Sequence, residues 1–363
     1  MTIPEPMQTS DRTPPQVDWA FAKATGRRLA PAGPPVSAAE VAAAVSSIRD
    51  SAGRARQPVA DTARLHAPGD APVPLVVDRP TWIEANADSM SAMLDPVFAK
   101  LVERRGTPAT SQGSAAMNAF GGKVTGAEAG ALLAFLSSKV LGQYDLAPQG
   151  TPRLMLVAPN LVQAERELGV DPADFRLWVC MHEETHRVQF TAVPWLRHHM
   201  IDGAQSLASE MVPDPDTLAE RAQQLVSRLP EALRQGGTGI AELVATPEQR
   251  ARLAQLTAVM ALLEGHADVV MDEVGPTVIP SVADIRAKFT ERRKGVGAFD
   301  RLLRRLLGLE AKMRQYRDGA VFVRGVFDRV GTDGFNRVWD SPETLPTPAE
   351  IADPGAWVRR VHG

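Results

Sequence analysis

The stretch Phe175-Arg176-Leu177-Trp178-Val179-Cys180-Met181-His182-Glu183-Glu184-Thr185-His186-Arg187-Val188-Gln189 decides how the chain is read. Asp171 precedes it as an N-cap, with Pro172 at the first helical position and Asp174 at the third. A helix is therefore expected from there to about Val193, ahead of Pro194. On that helix His182 and His186 share one face about one turn apart, so both rings reach one ion at about 2.0–2.1 Å. Glu183 projects about 100 degrees around the axis, beside the ion, where a base takes a proton from water. A His-Glu-x-x-His pattern within a helix points to zinc-dependent hydrolysis. Glu183 and Glu184 sit side by side in a mostly apolar run, and such acids are costly unless a cation compensates them.

A catalytic zinc keeps three protein ligands and an open position for water. The metzincin pattern would place glycine at 189 and histidine at 192, but Gln189 and Ala192 stand there. His198 and His199, beyond Pro194, read as surface or supporting residues. The expected third ligand is Glu264, in the run Leu262-Leu263-Glu264-Gly265-His266-Ala267-Asp268, because an acid within an apolar helix needs a partner. Asp268 follows one turn later on the same face and is expected to accept the outer N–H of a ligand histidine. His266 competes as a ligand but points nearly opposite to Glu264. Asp272 shares the face of Glu264 and Asp268, and reads equally as a supporting residue or a helix-pairing acid.

The chemistry expected of this set is attack of activated water on a carbonyl carbon, with Glu183 as general base and then proton donor to the leaving nitrogen. Tyr316 is the candidate oxyanion donor. The expected substrate is a peptide or protein, held by strand addition along the short apolar run Leu154 to Val157. Zn2+ is the expected cofactor.

Working outward, Thr246, Pro247 and Gln249 open a helix that continues through Glu264 to Gly275 and Pro276. The residues between Met211 and Ile240, rich in proline and glycine, read as a mobile connection. Upstream, Ser37 with Glu40 forms a capping box, Leu75 to Val77 a short strand, Thr81 to about Arg104 a helix, and Ala127 to Val140 a buried helix. Downstream, Val282 to Val330 is helical, with Leu302, Leu303, Leu306 and Leu307 as a core stripe. The expected organisation is a disordered tail over 1–17, one domain over 18–340 and a proline-rich tail over 341–363. Within the domain, 18–125 reads as a subdomain and 126–335 as the metal-binding core.

The 363 residues carry a net charge of -3, which supplies no electrostatic pull toward nucleic acid or an anionic membrane, and neither partner is expected. The one cysteine, Cys180, reads as core. The N-terminus lacks a secretory pattern and no run reaches ~18 uninterrupted apolar residues, so the cytoplasm is the expected location.

The chain resembles a family of bacterial zincin-like hydrolases, labelled zinc-dependent metalloproteases and sometimes associated by name with deazaflavin coenzyme biosynthesis. The resemblance lies in Asp18 and Trp19, in Leu141 to Asp145, in His182 to His186, in Glu264 to Asp268 and in Lys312 to Tyr316. It implies a mainly α, zincin-like metallopeptidase fold with a small β component. Thermolysin-like gluzincins pair a ligand glutamate with an aspartate four residues later, as Glu264 and Asp268 are spaced here. Two alternatives stand beside this reading: a zinc-binding protein that has lost turnover and recognises a partner, and a helical interaction protein without metal.

Overall fold

The computed structural model describes residues 17–67, 73–105, 112–211, 246–294 and 309–363. The chain divides into two compact units, residues 1–31 with 79–138, and residues 32–78 with 139–363. The expected tail over 1–17, the connection between Met211 and Ile240 and the leucine stripe at 302–307 lie wholly or almost wholly outside the described residues.

The first unit is helical: α1 (Trp19–Leu29), α3 (Arg79–Arg105) and α4 (Gln112–Ser137). Asp18 caps α1 by accepting from the Phe21 amide at 2.9 Å, and the Trp19 indole donates to Asp95 at 3.0 Å. The buried helix expected from Ala127 is the second half of α4, which begins earlier and stops at Ser137.

The second unit holds the sheet and the remaining helices. Ser37 and Glu40 close the expected capping box on α2 (Ala38–Ala63). Strands β1 (Leu75–Val77), β2 (Gly142–Asp145) and β3 (Arg153–Val157) form a sheet of order β1-β3-β2, with β3 parallel to β1 and antiparallel to β2. The strand read at Leu154 to Val157 is therefore central, flanked by a partner on each side, and cannot offer its backbone to a substrate. The two edge strands are β1 and β2, and β2 is the one beside the histidine-bearing helix residues. The Val157 amide donates to the Leu141 carbonyl at 2.9 Å, which makes that facing pair a hydrogen-bonded one. By the alternation of an antiparallel ladder, the backbone groups of Gly142 and Tyr144 then point away from β3.

After β3 the chain enters α5 (Ala158–Leu168), with Pro159 in its first turn. Proline is compatible with a first helical turn, where its missing N–H costs nothing. Next comes α6 (Pro172–Ala192), capped by the Asp171 carboxylate on the Asp174 amide at 2.9 Å. Its Phe175, Leu177, Val179, Cys180, Met181 and Val188 are buried in the core of this unit. Each large apolar side chain buried in this way stabilises by roughly 1.5–3 kcal/mol. The structure continues through α7 (Leu196–Met211), α8 (Pro247–Val278), α9 (Val282–Lys294) and α10 (Leu309–Asn336).

Helix α8 starts at the expected Thr246–Gln249 capping box and is long and apolar enough to cross a membrane by length and composition alone. Much of it is buried in the protein core. It crosses α10 with glycine against glycine: a Cβ on Gly265 would fall on the backbone of Gly319, and one on Gly319 on the backbone of Ala261. The proline-rich stretch read as a C-terminal tail is folded. Thr347 and Asp353 cap α11 (Pro348–Ala352) and α12 (Pro354–His362), whose prolines occupy first turns. Trp357 is fully buried and donates to the Thr344 carbonyl at 2.8 Å, while Arg360 grips Glu350 at 2.6 and 2.9 Å.

Candidate metal centre

Helix α6 supplies His182 and His186, and α8 supplies Glu264. The two Nε2 atoms are 3.2 Å apart, and Glu264 Oε2 is 3.5 Å from His182 Nε2 and 3.7 Å from His186 Nε2. Ligand atoms ~2.0–2.1 Å from a tetrahedral zinc stand about 3.3 Å from one another, so this triangle has the dimensions of a zinc ligand set. Among the described residues these three form the one group of side chains that could hold a metal ion. His198 and His199 are not part of it.

The electrostatics favour a cation. Burial pushes the His186 ring down, yet Glu264 more than offsets it and the ring is raised to about 9. Burial likewise acts to raise Glu264, but the two histidines hold its carboxylate well below the usual range. Glu183 behaves in the opposite way. It is buried, and burial raises its carboxyl above the ordinary value, only partly countered by the histidines. Gly142 of β2 lies directly on it: a Cβ there would come within 2.5 Å of Glu183 Cγ and 2.8 Å of its Oε1.

A cavity of about 700 Å³ opens on this centre. Its lining includes Trp178 one turn before His182, Phe190 one turn after His186, and Tyr144 and Gly142 from β2. Tyr144 stacks on Phe190 with ring centroids 5.7 Å apart, and burial raises its phenol, which stays protonated at neutral pH. Phe289 of α9 meets Trp178 edge-on at 5.0 Å. β2 entered the sequence reading only through the family resemblance, because four residues containing glycine and aspartate carry little strand signal. Tyr316 lies in the part of α10 whose side chains are outside the described residues.

Two expectations change, and three others resolve. Asp268 lines the cavity but takes neither outer histidine nitrogen: His182 Nδ1 faces Met271 Sδ at 3.2 Å, and His186 Nδ1 faces Gln189 Oε1 at 3.0 Å. One turn of spacing put Asp268 on the Glu264 face, but the histidine rings turn their outer edges to Met271 and to their own helix. The cation that compensates Glu184 is Arg187, bound through two hydrogen bonds at 2.7 and 2.5 Å with both side chains buried. Asp272 pairs with Arg286 and Arg324, the helix-pairing role. His266 is fully buried on the far side of α8 from Glu264, stacked on Phe335 at 5.2 Å, which removes it as a competing ligand. Cys180 is buried, and burial pushes its thiol far up, so it is no nucleophile.

The crystal structure of a "putative hydrolase with a novel fold" from Chloroflexus aurantiacus superposes with a TM-score of 0.67 at 28% identity, covering 95% of this chain and 99% of that one. No curated protein matches the chain. The model of the zincin-like metallopeptidase family matches residues 17–358, nearly the whole length, and the chain belongs to that family.

Proposed function

We propose that the protein is a zinc-dependent metallopeptidase that cleaves a peptide or amide bond, with His182, His186 and Glu264 holding the metal and Glu183 as general base. The observation that carries this reading is the 3.2, 3.5 and 3.7 Å triangle of Nε2, Nε2 and Oε2 beside a carboxyl of raised proton affinity. A bound zinc ion supplies Lewis acidity, polarising a carbonyl and making water a stronger acid. Glu183 takes the proton from water and, because burial favours its protonated form, holds it until the leaving nitrogen accepts it. Glu264, kept anionic by the two imidazoles, stays a ligand and does not compete for that proton.

The outward backbone groups of Gly142 and Tyr144 support an extended peptide lying along β2 by strand addition. Gly142 leaves the rail flush against Glu183, so the bound backbone and the base share one position. Trp178 and Phe289 at one end of the cavity, and Phe190 at the other, suit apolar side chains on the substrate.

The test is metal analysis of the purified protein, followed by cleavage profiling on a proteome-derived peptide library with the parent and Glu183→Gln side by side. One zinc per chain and cleavage by the parent alone are expected. A parent that cannot be loaded with zinc, or a variant that cleaves as fast as the parent, overturns the proposal.

A further inference from the structure

Gln189 connects the two ligand-bearing helices. It is fully buried three residues after His186, and each polar atom of its amide is engaged. Its Nε2 donates to the Leu263 carbonyl at 2.9 Å and lies 3.0 Å from His266 Nδ1, while its Oε1 lies 3.0 Å from His186 Nδ1. A backbone carbonyl only accepts, so the amide end facing Leu263 is the NH2. Its oxygen must then face His186, and the contact is a hydrogen bond only if His186 Nδ1 carries a proton. In the neutral ring, the form able to bind a metal, that leaves the lone pair on Nε2, on the side of Glu264 and His182. The second amide hydrogen meets His266 Nδ1, which must accept, so His266 carries its proton on Nε2. That Nε2 is buried without a partner, in a niche where Phe335 and Trp339 flank the ring.

We infer that Gln189 is the positioning residue of the metal centre, fixing the proton of His186 on Nδ1 and tying α6 to α8 at the residue preceding Glu264. The inference rests on the metal reading above. Because the amide is anchored by Leu263, the backbone neighbour of Glu264, one side chain sets both the ring orientation of one ligand and the separation of that ligand from the next. Outer partners of this kind select the tautomer of a ligand histidine and raise its basicity. His266 supports Gln189 and touches neither ligand ring in the hydrogen bonds observed. Its orphaned N–H follows from the acceptor that Gln189 requires of it.

The experiment uses the full chain labelled with 15N-histidine, in chelator-treated and zinc-loaded forms. In the parent, NMR is expected to show His186 with a proton on Nδ1 in both forms, slow to exchange with solvent. Gln189→Met keeps the volume and removes the amide; that proton should then exchange rapidly, and zinc affinity in a chelator competition should fall roughly 10- to 100-fold. His266→Phe, which preserves the stacking and the Leu263 anchor, should retain the protected proton and lose less affinity than Gln189→Met. A Gln189→Met protein within twofold of the parent in zinc affinity overturns the inference. So does a parent whose His186 binds zinc through Nδ1 or carries no proton there, a result that stands even if Gln189→Met does not fold. A parent that binds no zinc but shows the protected Nδ1 proton, lost in Gln189→Met, would refute the metal reading and leave the hydrogen-bond assignment intact.

Discussion

Glu183 and Glu264 are the same residue type in one cavity, and their surroundings drive them in opposite directions. Glu264 faces two imidazoles, and its carboxylate is held well below the ordinary value. Glu183, one residue from His182, lies against the backbone of Gly142 and is raised by burial. A carboxylate that stays charged is suited to a cation; one that readily binds a proton is suited to moving it. Role follows from which groups each acid faces: Glu264 lies 3.5 and 3.7 Å from the two imidazoles, whereas Glu183 sits under Gly142.

The largest break of this comparison is Glu183→Gln. Hydrolysis should fall at least ~10²-fold while zinc stays bound, measured by peptide cleavage alongside metal analysis. Glu264→Ala should do the reverse first, weakening zinc in a chelator competition by more than any change at His266; a greater loss with His266→Ala would reassign the third ligand. Two alanine substitutions probe the walls. Gly265→Ala drives a methyl into the Gly319 backbone and should lower unfolding free energy by roughly 1–3 kcal/mol in denaturant titrations. Gly142→Ala first meets the side chain of Glu183, which can move, so stability should change less and catalytic rate more.

The smallest effect is a difference in pH dependence, read on chelator-treated protein. The folded state raises Glu183 above the ordinary 4.5, so folding favours its protonated form. Its contribution to stability is complete below 4.5 and is lost as pH rises through the raised value. For Glu264 the sign is opposite: its contribution is complete above 4.5 and is lost as pH falls through the lowered value. As pH rises above 4.5, Glu183→Gln should therefore lose less thermal stability than the parent. A parallel pH profile for the two proteins would show that burial does not set the state of Glu183.

Much of the centre was legible because helices encode spacing locally. His182 and His186 share a face by count alone, Asp171 and Thr246 announce their helices, and Glu264 stands out as an acid among leucines. What was missed depends on which parts of the chain meet in space. Nothing near Glu184 says that its cation is Arg187 rather than a metal, although the three-residue spacing permits it. Gln189 served in the sequence only to reject another ligand pattern; its buried contacts with Leu263 and His266 lie 74 and 77 residues away. Leu154 to Val157 was correctly read as a strand, but its place at the centre of the sheet is fixed by β1 and β2, and the glycine and aspartate of β2 hide its strand character. Proline misled at the C-terminal helices, where it opens elements instead of ending them.

The Gly265–Gly319 crossing gives the centre a hard stop. With backbone against backbone next to Glu264, α8 has no room to advance toward α10, and a rigid seat of this kind fixes the scale of the ligand cage. A change of ion radius, as from zinc to cadmium, must then be absorbed by whichever ligand is most loosely held. His186 is clamped by an amide, whereas His182 leans on a thioether, a weak acceptor. The cage is compliant at one corner, and His182 is the ring that should turn when the ion grows.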